Sequence, residues 1–174
     1  MPGISLQPDE ARLLQVLITA IGAKKALEIG TLAGYSGTWI ARALPEDGKL
    51  FTLEKSSKHA RVARASFERA GLGERVTLLE GSALDSLPKL GSEAPFDFAF
   101  LDADQERYSD YFRWIDGYLR PGGILTAHNA FGHGRWETPG SPMDAFLTML
   151  SQRPDYTSTI VSVGDGMLVA VKNR

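Results

Sequence analysis

Apolar and polar positions along the chain follow two periods, and their succession predicts strands alternating with amphipathic helices. The first segment is helical. Pro8-Asp9-Glu10 opens it with acids in the first turn, Leu13, Leu14, Leu17, Ile18 and Ile21 form one apolar face, and Gly22 stops it. Short apolar runs then predict strands from Lys25 to Ile29, Lys49 to Glu54, Arg75 to Leu79, Phe96 to Asp102 and Gly123 to Ala127. Between them, helical patterns run from Tyr35 to Leu44, Ser57 to Gly71, Ala83 to Leu90 and Arg107 to Leu119, and Pro142 to Gln152 forms the last helix. Tyr156 to Val163 and Met167 to Lys172, joined by Gly164-Asp165-Gly166, read as an antiparallel hairpin. The stretch from His128 to Pro142 is glycine-rich, irregular and long for a connection, which marks it as a binding loop.

This alternation builds an α/β domain with a doubly wound, mostly parallel sheet, whose ligands sit beyond the carboxyl ends of the strands. Four polar sites fall at those ends: Glu28, Glu54, Asp102 and the pair His128-Asn129. After Glu28 the chain crosses Gly30-Thr31-Leu32-Ala33-Gly34 and enters a helix, so backbone N–H groups and a helix N-terminus face the ligand. An acid at the second strand end, Glu54, suits ribose hydroxyls. Two acids beside a glycine turn point to a nucleoside carrying little or no phosphate. If the fourth and fifth strands are neighbours, their ends lie about 4.8 Å apart, and Asp102 and Asn129 converge on one cation or one substrate oxygen. His128 and Asn129 both face inward only if the chain turns between them.

Composition narrows the partners. With 174 residues the chain has the size of a single domain, and a net charge of -2 offers no basic excess for a nucleic-acid backbone. Cysteine is absent, which removes disulfides and thiolate metal sites and leans toward a reducing compartment. No cationic leader precedes an apolar run, and no segment approaches the roughly 18 apolar residues of a membrane helix. The expectation is a cytoplasmic, soluble protein with neither nucleic-acid nor membrane partners.

Several motifs in register resemble one family. Glu28-Ile29-Gly30-Thr31 with Gly34-Tyr35-Ser36, Leu44-Pro45-Glu46-Asp47-Gly48, Phe96-Asp97-Phe98-Ala99-Phe100-Leu101-Asp102-Ala103-Asp104 and Gly122-Gly123 are similar to cation-dependent O-methyltransferases, which include catechol and caffeoyl-coenzyme A O-methyltransferases. The closing hairpin likewise resembles the Rossmann-like class I methyltransferase fold, a seven-stranded sheet with helices on both faces. The resemblance implies S-adenosylmethionine as methyl donor and a small, phenolic acceptor. Carried over by position, Glu28 and the Gly30–Gly34 turn with Thr31 and Tyr35 hold the methionine portion, and Ser36 contacts its carboxylate. Glu54 takes the ribose, Ser82 and Ala83 border the adenine, and Asp102 adjoins the cofactor. Ser82 also reads as a helix N-cap.

Two departures fall where the chemistry takes place. Of the three metal-site positions, Asp102 and Asn129 match, but the second acid is replaced by His128, and the lysine that serves as base in catechol methyltransferases is Gln105. An Asp102, His128 and Asn129 set suits Mn²⁺, Fe²⁺, Co²⁺ or Zn²⁺ better than Mg²⁺ or Ca²⁺. Alternatively no metal binds and His128 is itself the general base, with Asp102 beside it. Phe131, His133 and Trp136 lie in the loop that lines the family's acceptor pocket; each is either a pocket residue or an ordinary loop residue. Tyr108, Tyr111, Trp39 and Trp114 read as packing residues and His59 as solvated. The resemblance places additional helices before the segment that starts here at Pro8, and the expectation is a more open acceptor site or a pocket completed by another subunit, as in a homodimer. The competing functions are an S-adenosylmethionine-binding protein without activity and an NAD(P)-dependent oxidoreductase, although Gly30, Gly34 and Gly37 do not have the Gly-x-Gly-x-x-Gly spacing.

Overall fold

A computed structural model describes residues 6–131 and 139–173. The elements follow the predicted order: α1 (Pro8–Ala20), β1 (Lys25–Ile29), α2 (Tyr35–Ala43), β2 (Lys49–Glu54), α3 (Ser57–Arg69), β3 (Val76–Glu80), α4 (Ala83–Ser86), β4 (Phe96–Leu101), α5 (Tyr108–Tyr118), β5 (Leu119–Ala127), α6 (Pro142–Ser151), β6 (Tyr156–Val161) and β7 (Met167–Lys172). Among the described residues the strands form one seven-stranded sheet in the order β3-β2-β1-β4-β5-β7-β6. β3, β2, β1, β4 and β5 pair in parallel, and β7 runs antiparallel to both β5 and β6.

Side-chain alternation along the central strands supplies both faces of the sheet. On β4, Phe98 and Phe100 enter a core with α1, α2 and α3, while Ala99 and Leu101 enter a second core with α5 and α6. All four are fully buried, as a strand covered by helices on both faces must be. The expected 83–90 helix is shorter: it ends at Ser86 and continues as a 3-10 turn, Leu87–Glu93, because Pro88 and Gly91 interrupt the α-helical ladder. β5 starts earlier than expected, at Leu119, with a register shift opposite Phe96 and Phe98 that absorbs Pro121-Gly122-Gly123. Trp39 and Trp114 are half-buried rather than central, packed against the edges of the two cores.

The strand order reverses between β1 and β4, which is where an open α/β sheet forms its crevice. Ladder-like hydrogen bonds carry the sheet one residue past the strand ends: Gly30 N–H to Leu53 O, Asp102 N–H to Ile29 O, His128 N–H to Leu101 O and Gly81 N–H to Glu54 O. Gly30, Glu54, Asp102 and His128 therefore stand in one row along the carboxyl edge. Among the described residues no helix is long and apolar enough to cross a membrane.

Candidate active site

A cleft of about 810 Å³ opens over that row, lined from β1 and β2 by Gly30, Leu32, Glu54 and Lys55, and from β3 by Gly81, Ser82 and Ala83. Asp102, Asp104, Arg107 and Tyr111 close it beside β4, and Glu10, His128 and Asn129 close its far end. The turn after β1 approaches the β4 end closely. A Cβ at Gly30 would lie 2.0 Å from the Asp102 carbonyl oxygen, and its φ of +101° is one that side chains other than glycine's disfavour. Leu32 follows with φ +48° and aims its N–H at Glu54 Oε2, 2.8 Å away.

Glu54 is buried at the floor of the cleft, which excludes a mere surface acid. Its Oε1 accepts the Ser56 N–H at 2.8 Å, so two backbone donors fix the carboxylate while its remaining lone pairs face the cleft. His59, expected to be solvated, is half-exposed with Nδ1 3.6 Å from Glu54 Oε1. Ser82 occupies the N-cap position of α4 without a side-chain cap bond and, with Ala83, lines the same wall.

Glu28 is elsewhere. It is fully buried behind the glycine turn, and neither it nor Thr31, Gly34, Tyr35 or Ser36 is among the residues lining the cleft. The pleat of β1 points Glu28 under the first turn of α2, where Thr52 Oγ1 donates to Oε2 at 2.6 Å and Ser36 makes a further hydrogen bond. Gly37 leaves room there, since a Cβ would stand 2.8 Å from Glu28 Oε2. Burial pushes the Glu28 carboxyl up to about 7, with the Ser36 and Thr52 bonds opposing the rise. Thr31 hydrogen-bonds Thr52 at 2.5 Å, and Tyr35 is partly exposed against Trp39. In this geometry these residues sit behind the turn, and Gly30 and Leu32 are its cleft-lining members.

At the far end His128 and Asp102 meet, and Glu10 joins them. His128 Nδ1 lies 3.1 Å from Asp102 Oδ1, and His128 Nε2 lies 2.8 Å from Glu10 Oε1. Glu10, on the first turn of α1, is almost completely buried and accepts the Gln7 N–H at 2.7 Å. Burial alone would lower the His128 pKa, but hydrogen bonds to Asp102 and Glu10 overcome it and lift the imidazole to about 9. Burial would raise Glu10, and its bonds from His128 and Gln7 reverse that, so its carboxyl sits below the usual range. The two carboxylates thus favour the protonated form of the imidazole between them.

That arrangement bears on both sequence readings of His128, as general base and as metal ligand. A general base needs an unprotonated nitrogen, and a metal ligand needs a bare lone pair; here both ring nitrogens are spent on carboxylates. Among the described residues no group of three His, Asp or Glu side chains is arranged to hold an ion. A dication on Asp102 would compete with His128 for the same carboxylate and would have to displace the His128 Nδ1 contact at 3.1 Å. With Nε2 against Glu10 and Nδ1 against Asp102, His128 turns no bare nitrogen to the cleft, and the residues present do not fit a divalent cation held through this imidazole. Asn129 does reach the cleft: at φ +59° the chain turns after His128, as the inward-facing pair requires, and Asn129 Oδ1 is buried without a partner among the described residues.

The remaining predicted residues divide. Tyr108 is a core residue whose hydroxyl donates to Leu101 O at 3.2 Å, whereas Tyr111 lines the cleft and donates to Asp104 Oδ1 at 2.5 Å. Phe131 packs against Gly166 of the β6–β7 turn and is not among the cleft-lining residues. His133 and Trp136 lie outside the described residues. Sequence reasoning missed Glu10, although an acid in line with Leu14 and Ile18 on an apolar helix face was a signal that it is buried for a reason.

Comparison with known proteins bears on the same architecture. Residues 1–173 match the family model described as O-methyltransferase. The catechol O-methyltransferase of Niastella koreensis is 42% identical over 184 residues, covering 98% of this chain and 83% of that protein. A catechol O-methyltransferase of Mycobacterium tuberculosis is 36% identical, covering 98% of this chain and 82% of its own length. Among solved structures, the O-methyltransferase from Bacillus cereus in complex with SAH superposes with a TM-score of 0.90 at 37% identity, covering 99% of this chain and 84% of that one. TomG from Streptomyces achromogenes, involved in tomaymycin synthesis and solved with SAM, gives 0.93 at 34% identity, covering 100% and 84%. With its switch-point cleft, glycine turn and row of acids, the chain belongs to the O-methyltransferase family.

Proposed function

We propose that this single domain transfers a methyl group from S-adenosylmethionine (SAM) to a hydroxyl of a small aromatic acceptor, releasing S-adenosylhomocysteine (SAH). The observation that carries the reading is the row of Gly30, Glu54, Asp102 and His128 under one cleft in a chain of this family. The turn fits the cofactor: Gly30 and Leu32 bring backbone to the cleft without a bulky wall, and Glu54 is fixed with lone pairs to spare for ribose hydroxyls. Ser82 and Ala83 offer a flat, small-residue wall for the adenine.

When bound, SAM supplies a sulfonium methyl whose S–C bond breaks with its electron pair on sulfur as the acceptor oxygen forms the new O–C bond. The chain must align that oxygen and remove its proton. Asn129 lines the same end of the cleft, its Oδ1 buried without a partner among the described residues, and is the side chain we assign to a hydroxyl hydrogen bond. Asp102 lines the same end, and its carboxylate takes the proton as bond formation makes the oxygen strongly acidic. Gln105 has no basic group, and His128 is held by carboxylates on both sides. Tyr111 and Arg107 flank the entrance where an aromatic ring would lie.

The phenolic character of the acceptor, a cytoplasmic setting and a homodimer belong to this proposal. The first is supported by the catechol-named relatives, the second by the absence of cysteine. Family membership replaces the oxidoreductase alternative. The binding-only alternative keeps one specific support, the loss of both the basic residue at Gln105 and a free imidazole at His128. Incubation with methyl-labelled SAM and a panel of catechols and monohydroxy phenols decides between them. Label in an ether product is the expected result; tight SAH binding with no product across the panel would establish the binding-only reading instead.

A further inference from the structure

We propose that His128, clamped between Glu10 and Asp102, takes the place of a divalent cation at the acceptor end of the cleft, so that this protein orients its acceptor through one hydroxyl and works without a bound metal. The inference rests on the methyl-transfer reading above. Its basis is how the donor atoms are spent. Imidazole ligates through a bare nitrogen, yet Nε2 is 2.8 Å from Glu10 Oε1 and Nδ1 is 3.1 Å from Asp102 Oδ1. Glu10 and His128 are 1% and 6% exposed, so water cannot easily replace either partner. Glu10 is itself fixed by the Gln7 N–H and by a backbone bond from Asp165, which keeps the clamp closed from the α1 side.

The cluster already contains its own cation, and that cation sits against Asp102, the carboxylate a metal would need. What remains for a ligand is the cleft-facing part of Asp102, next to Asn129, whose Oδ1 is buried at φ +59° without a partner among the described residues. The Asp102 carboxylate, half taken by His128, suits one O–H group. A dication with open positions instead favours two vicinal oxygens that chelate it. The acceptor class therefore extends to monohydroxy phenols, with no requirement for a catechol pair. Glu10 is a positioning residue in this scheme, acting on the acceptor only through His128.

Mn²⁺ titration followed by electron paramagnetic resonance, with SAH present, tests the inference without any turnover. The wild-type protein is expected to leave the free-ion signal intact to millimolar Mn²⁺. His128→Asp combined with Glu10→Gln rebuilds a carboxylate pair beside Asn129 and should bind Mn²⁺ on the order of 100-fold more tightly. In Glu10→Gln alone, the ring nitrogen resonances of His128 should move toward those of a neutral imidazole at pH 7.5, a change that loss of packing alone would not produce. A monohydroxy phenol should be methylated at a rate unchanged by EDTA. Micromolar Mn²⁺ binding by the wild type, or a tenfold loss of rate in EDTA restored by Mn²⁺ or Mg²⁺, would overturn the proposal. The wild-type titration needs no variant, so it stands if a variant fails to fold, and it decides the metal question even if no acceptor is methylated.

Discussion

Replacing Glu10 by Gln removes one charge from the buried clamp while keeping its shape. The rise of His128 from 6.5 to about 9 is worth about 3 kcal/mol at ~1.4 kcal/mol per unit, and two carboxylates share it. Both partners are almost wholly buried, so solvent screening discounts little of this. Glu10→Gln should therefore cost about 1–2 kcal/mol near pH 6.5, or about 3–7 °C in Tm for a chain of this size. The sign follows from the folded-state pKa lying above the unfolded one. Stability from the charged imidazole is fully present below pH 6.5 and is lost as pH rises through about 9. At the acid end, the lowered Glu10 carboxyl contributes above its ordinary range near 4.5 and is lost as pH falls. Urea unfolding of both proteins from pH 5 to 10 reads the gap directly. It should be widest between pH 5 and 6.5 and close above pH 9. A gap that stays constant to pH 10, or none at pH 6, would refute the clamped imidazolium.

Three other perturbations follow from the same geometry. Gly30→Ala places a methyl 2.0 Å from the Asp102 carbonyl at φ +101° and should cost about 3 kcal/mol or more, with loss of SAH binding, measured by thermal unfolding with and without SAH. Gly164→Ala drives a methyl to 2.1 Å from Glu10 Oε1 at φ +51°, so the His128 ring resonances should shift as they do in Glu10→Gln; unchanged resonances would show that Glu10 is not held by this loop. Glu28 has the opposite linkage to Glu10. Its folded-state pKa is raised, so the folded protein prefers the protonated form, and wild-type stability falls as pH climbs from 4.5 through about 7 by about 3 kcal/mol. Glu28→Gln should flatten that slope in urea titrations, whereas an unaltered slope would assign it to other groups.

Much of this architecture is legible in the chain because local signals and the fold agree. The apolar run of β4, the Pro-Glu-Asp-Gly turn at 45–48 and the hairpin at Gly164-Asp165-Gly166 each fixed an element near its observed limits. One rule, that ligands gather where parallel strands end, points to Glu54, Asp102 and Asn129, and all three line the cleft. Glu28 shows where that rule stops: position at a strand end says nothing about which face the pleat offers, and here α2 takes the side chain. Glu10 shows the complementary gap. It is 118 positions from His128, and only the packing of α1 across the sheet end brings them together. The same long-range contact sets a second carboxylate against the His128 ring.

The central claim is that the cleft above Glu54 binds the SAM nucleoside, and calorimetric titration of SAH into the wild type and Glu54→Ala tests it most directly. The account predicts micromolar binding by the wild type and a loss of at least ~10-fold in the variant, the scale of two charge-assisted hydrogen bonds to the ribose. No heat with the wild type, or equal affinity in both proteins, would contradict it.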